Sequence, residues 1–192
     1  MNLDPFDVLL DLCEEASFIQ SKKILVSLSF FGKHLYAQLT QQIFSDRQKD
    51  LFKIIRKGFM SCLSHWDQFS EQDYTAITQS WIAVFMKFVV KCSEVVLKKY
   101  FNILVKWAKF NEEDYGTTDH DLQKKILFIQ SFNAIVENLG SFSISYYGYV
   151  YEYYLGFFED CHSKYATIQK LGQKRQLDQI DLCTTSRIKL HQ

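Results

Sequence analysis

"SEVVLKKYFNILVKWAKF", residues 93–110, carries the pattern on which the fold turns. Val96, Tyr100, Ile103, Leu104 and Trp107 recur at helical spacing and form an apolar face. Lys98, Lys99, Lys106 and Lys109 fall largely off that face. Ser93 has the chemistry of an N-cap. Glu94 at the start, with Lys106 and Lys109 at the end, complements the helix dipole. Every residue is accounted for by a helix packed on neighbours, its lysines turned to water. The stretch therefore reads as one rung of a helical scaffold rather than a cationic grip.

The rest of the chain extends that rung in both directions. One proline, Pro5, and seven glycines in 192 residues leave few helix breakers. Asp4 and Pro5 are placed to cap and open a first helix, with Phe6, Leu9, Leu10, Cys13 and Ala16 along one side. The spacing predicts a second helix over about 21–44, kinked at Gly32, and a third capped by Ser45 or Asp46 that runs to about Trp66. Ser70 precedes a fourth helix and Ser93 the fifth. After the polar loop "NEEDYGTTDHD", Thr118 or Asp119 starts a sixth that stops at Gly140, and a seventh covers roughly Phe142–Cys161. Short connections favour antiparallel pairs stacked side by side. The expected organisation is a helical array over 1–161 and a polar, frayed or flexible tail over 162–192.

Composition bounds the function. Lys+Arg and Asp+Glu are 22 each, so the strongly basic balance of a bulk phosphate binder is absent. Five cysteines at 13, 62, 92, 161 and 183, none in a C-x-x-C pair, read as free thiols in a reducing compartment. There is no N-x-S/T site, and the acidic start "MNLDPFDVLLDLCEE" is no signal peptide. Lysine or serine breaks each apolar run well short of a membrane span, so no membrane contact is expected.

Cys62 and His65, three apart on one helix face, have a spacing that two metal ligands can use. No second pair accompanies them, and a buried thiol beside a surface histidine is expected instead. The acidic clusters Glu14-Glu15 and Glu112-Glu113-Asp114 read as solvated charge. No phosphate loop, nucleophile elbow or Ser/His/Asp set occurs, so neither catalysis, a cofactor, a metal nor a small-molecule substrate is expected.

Two segments have the chemistry of nucleic-acid contact. Lys49, Lys53, Arg56 and Lys57 form a basic stripe on the third helix. "YYGYVYEYYLGFF", residues 146–158, holds six tyrosines and two phenylalanines, rings of the kind that stack on unpaired bases. Tyr147, Tyr151, Tyr154 and Phe158 also follow i, i+4, i+7, i+11, and the expectation is that this face packs. Tyrosines at 147, 149, 151 and 153 fit a strand period as well.

The segments 85–110 and 124–154 resemble the C-terminal domain of the HEAT repeat-containing small-subunit processome scaffold, the U three small nucleolar RNA-associated protein ten family. The resemblance rests on Ser93-Glu94-Val95, Phe101, Trp107-Ala108 ahead of a polar insertion, the helix holding Phe128, and the Leu139–Phe142 turn. It extends more loosely through 59–66 and 71–91, giving a family-like core of about 59–160. Gly140 departs from the lysine expected in that turn. Family members are many times longer, which implies a fragment or an unusually short product.

The resemblance implies an all-α, HEAT-like α-solenoid segment and favours helix over strand at 146–158; Phe101, Leu104, Trp107 and Phe128 are expected in its core. It also implies a non-catalytic scaffold role in pre-rRNA processing and small-subunit assembly, in the nucleus and nucleolus. Processome proteins, and pre-rRNA or small nucleolar RNA, are the implied partners. The alternative from a different class is a HEAT-type adaptor in transport or trafficking that binds helical peptides in an apolar groove.

Overall fold

The computed structural model describes residues 4–16, 22–64, 68–109, 119–151, 153–159 and 162. Among the described residues the chain is all-α, with no strand. The helices are α1 (Pro5–Glu15), α2 (Lys22–Ala37), α3 (Gln41–Ser64), α4 (Glu71–Val89), α5 (Glu94–Ala108) and α6 (Asp119–Leu139). A 3-10 turn, Gly140–Ser143, leads into α7, whose residues 144–151 and 153–159 are helical. The segment 146–158 is thus helix, not strand, where it is described. The chain divides into two compact units, Met1–Tyr147 and Gly148–Gln192. The expected tail, apart from His162, lies outside the described residues.

Local chemistry sets most helix starts. The carboxylate of Asp4 accepts from the Phe6 amide at 2.8 Å, with Pro5 occupying the position that lacks a donor. Ser70 and Ser93 accept from the amides of Asp73 and Val96 at 3.2 and 3.4 Å. Gly140 takes φ +54°, the left-handed conformation that ends α6 at little steric cost.

One boundary differs from the expected one. The second helix stops at Ala37 rather than about residue 44, and Thr40, not Ser45 or Asp46, caps the third, its Oγ1 accepting from the Ile43 amide at 3.2 Å. At the predicted cap, α3 instead carries a kink, with Arg47 at φ −125° and ψ 19°. There the guanidinium pairs with Asp4 at 2.7 Å and with Asp7, tying the start of α1 to α3. Nor does Gly32 kink α2, which runs through it unbroken; Gly32 gives room to the ring of Trp81.

Within the first unit the helices pack in two layers. The odd-numbered helices lie side by side: α1 on α3, then α3 on α5 through Phe52–Tyr100 (4.6 Å between ring centroids) and Phe59–Trp107 (6.0 Å). The even-numbered helices do the same, α2 on α4 and α4 on α6. Each odd helix backs onto its even successor, giving the stacked pairs of a HEAT-like array. Phe88 of α4 bridges the layers, meeting Phe44 at 5.2 Å and Tyr100 at 5.2 Å. Such rings supply the largest apolar areas per residue in the core.

The buried face of α5 is turned from the expected one. Leu97, Tyr100, Phe101, Leu104, Val105 and Ala108 are buried, whereas Val96, Ile103 and Trp107 are half-buried. The shift is about one residue, or roughly 100° of helix. Its cause is a second neighbour: Phe101 packs on Phe132 at 5.8 Å and on Tyr146 at 5.0 Å, drawing that edge of α5 inward.

Candidate functional site

The basic stripe sits on the side of α3 opposite its core residues. Leu51, Ile54, Ile55 and Phe59 are fully buried, while Lys49, Lys53 and Arg56 are exposed and Lys57 is half-buried. Positions i, i+4, i+7 and i+8 share a helix face, so the four cations do form one strip. They are not equally available. Lys53 Nζ lies 2.7 Å from Glu14 Oε1 on the adjoining α1. The hydrogen bond from Lys53 holds the Glu14 carboxyl below its ordinary value, and Glu14 in turn holds the Lys53 ammonium above its own. Asp50 and Asp11 add to that upward pull on Lys53. Lys49 and Arg56 make no ion pair or hydrogen bond among the described residues. The stripe is therefore cationic at both ends and offset in its middle.

The aromatic segment is the opposite of what its spacing predicts. Tyr147, Tyr151 and Phe158 are exposed and Tyr154 is half-buried. The buried positions are Tyr146, Val150 and Tyr153. Both faces of α7 carry rings, so helical period alone cannot choose between them. Tyr146 decides the first turn: its ring meets Phe101, and its hydroxyl donates to the Glu94 carbonyl at 3.4 Å.

Among the residues expected in the core, Phe101, Leu104 and Phe128 are fully buried. Trp107 is only half-buried, at the border of α5. Its Nε1 donates to Met60 Sδ at 3.4 Å, and Lys124 Nζ lies 5.7 Å from its ring centroid.

The described thiols are protonated at neutral pH. Burial pushes Cys13 and Cys92 up to about 12, and Cys62 further up. A thiol so held is a poor nucleophile and a reluctant metal ligand. Cys62 is fully buried, and its expected neighbour His65 lies outside the described residues. Among the described residues no group of three or more metal-type side chains converges, and no helix is long and apolar enough to cross a membrane.

One feature has no signal in the sequence. A cleft of about 470 Å³ opens between the α4–α5 turn and the 3-10 turn after α6. Its wall joins residues from 89–97 to residues from 139–146, and only the fold brings those segments together.

No curated protein and no solved structure gives a significant match. The BP28CT (NUC211) domain model matches residues 41–186, about three quarters of the chain. That span takes in α3 through α7, including the basic stripe, the cleft and the aromatic segment. The chain belongs to the BP28CT (NUC211) domain family, a family linked to nucleolar ribosome biogenesis.

Proposed function

We propose that the chain acts as a non-catalytic scaffold segment of the small-subunit processome, in the nucleolus, where it helps hold assembly factors on the pre-rRNA. The single observation that carries this reading is family membership over most of the chain. The fold suits the task, because stacked helix pairs present extended surfaces to several partners at once. No bond-breaking step is assigned to any residue. Neighbouring processome proteins are the main partners in this reading. Direct contact with pre-rRNA or small nucleolar RNA is secondary, weak and electrostatic, and runs through Lys49, Arg56 and Lys57.

Proximity labelling from the tagged chain in cells, combined with pre-rRNA analysis after its depletion, tests the proposal. The expected result is labelling of early small-subunit assembly factors and accumulation of unprocessed small-subunit precursors. Labelling dominated by coat or cargo proteins, with normal pre-rRNA processing, rejects it in favour of the trafficking adaptor.

A further inference from the structure

We infer that the cleft between the α4–α5 turn and the 3-10 turn after α6 is a docking site for a short protein segment. That segment presents one bulky apolar side chain and, beside it, a lysine or arginine. The cleft lies inside the first compact unit. Val89, Leu97, Leu139 and Tyr146 build its apolar wall, with Val90 and Phe142 at the rim. Val90 is 56% exposed and Phe142 81% exposed. One exposed phenylalanine is ordinary, but an apolar rim grouped around a cavity is the kind of surface that marks a contact site. Val95 and Ile144, each next in sequence to a lining residue, are exposed as well. The volume of about 470 Å³ is enough for a leucine, phenylalanine or tryptophan side chain and part of its backbone.

Charge selects the occupant. Glu94 is the one charged residue of the lining, and its side chain is in no ion pair among the described residues. An apolar anchor brought into the cleft carries its neighbours past that carboxylate, so a basic neighbour is attracted and an acidic one repelled. Two turns, one capped by Ser93 and the other by Gly140 at positive φ, hold the walls in place before a partner arrives.

This inference rests on the cleft's geometry and not on the nucleolar assignment, and it is tested on the purified chain. Peptides from a random 12-residue display library are selected on the chain. The strongest is synthesised with a fluorophore and titrated by polarisation. The expected peptide pairs a bulky apolar residue with Lys or Arg. Val90→Ser and Phe142→Ser are expected to weaken it by about tenfold or more while the melting temperature holds, since both side chains are already open to water and neither change adds a charge at the end of α4. Glu94→Gln is expected to weaken it several-fold. Glu94→Lys is expected to prefer the version of the peptide whose basic residue is replaced by Glu. Unchanged affinity in the two rim variants overturns the site. A selected pool without basic residues, or equal binding to wild type and Glu94→Lys, overturns the assigned partner chemistry. Competition by a single-stranded RNA that rim substitutions abolish makes the cleft a nucleic-acid site and also overturns the inference.

Discussion

Gly58 of α3 and Trp81 of α4 meet so closely that a Cβ on Gly58 would lie 2.5 Å from Cδ2 and Cε3 of the indole. Trp81 is fully buried, and on its far edge Gly32 of α2 approaches the same ring, a Cβ there falling 3.4 Å from Cη2 and Cζ3. One indole thus holds three helices together through two missing side chains.

The two glycines are expected to respond differently to alanine. Gly58→Ala forces the ring or the helix to move, and overpacking of this kind costs about 1–3 kcal/mol, which outweighs the gain in helix propensity. Gly32→Ala meets ordinary contact distance, so the propensity gain leaves it neutral or stabilised by up to about 1 kcal/mol. Chemical denaturation of both variants checks this. A Gly58→Ala chain as stable as wild type would show that the ring has room to shift.

Those contacts mark the limit of what sequence discloses. Caps are local chemistry, so Asp4, Ser70, Ser93 and the stop at Gly140 were legible. Thr40 was not, because the periodic run across 35–44 hid a break that only the turn after Ala37 reveals. Gly32 reads as a weak point in a helix until Trp81, 49 positions away, is seen against it. The orientations of α5 and of the first turn of α7 are not legible in the sequence, for a shared reason. Each carries apolar residues on more than one face, and the neighbours that choose between faces come from distant segments. The cleft has no sequence signature, because its two walls belong to separate turns.

Trp107 and Phe101 offer a comparison within one helix. Phe101 is enclosed by Phe128, Phe132 and Tyr146, so Phe101→Ala is expected to cost about 3–5 kcal/mol. Trp107 is half-buried against Phe59, with a weak donor contact to Met60, so Trp107→Ala is expected to cost less, on the order of 2 kcal/mol. Urea midpoints of the two variants decide the ranking. A larger loss at Trp107 would place that ring at the centre of the α3–α5 contact.

The Glu14–Lys53 pair predicts a pH signature. Glu14 titrates below its ordinary value of 4.5 in the folded chain, so its contribution is present above that value and lost as pH falls through the depressed one. Lys53 titrates above its ordinary 10.5, so its contribution is present below that value and lost as pH rises through the raised one. Between the two limits the contribution is flat. The pair is solvent-exposed, so it is small and fades with added salt. Glu14→Gln is expected to lower the melting temperature slightly at pH 7 and low salt, with the difference from wild type vanishing in acid. A difference that persists below the carboxylate range would assign the effect to packing of the Glu14 stem.

RNA binding, if direct, is expected to follow the ends of the basic stripe rather than the exposed tyrosines. Lys49 and Arg56 are exposed and without ion pairs among the described residues, and Lys57 is half-buried beside them, whereas Lys53 is held by Glu14. Phe158 is followed by the exposed Glu159, which repels a phosphate backbone. Replacing Lys49, Arg56 and Lys57 by glutamine is expected to leave the melt unchanged and to weaken binding to a single-stranded RNA. With three phosphate contacts removed, the slope of log affinity against log salt should flatten by about 2. Tyr151→Ala and Phe158→Ala are expected to leave stability nearly intact, because both rings already face water at 65% and 63% exposure. They should also leave RNA affinity and its salt slope as in wild type. If the aromatic variant loses RNA while the stripe variant binds normally, stacking on α7 replaces phosphate contact on α3 as the mode of binding.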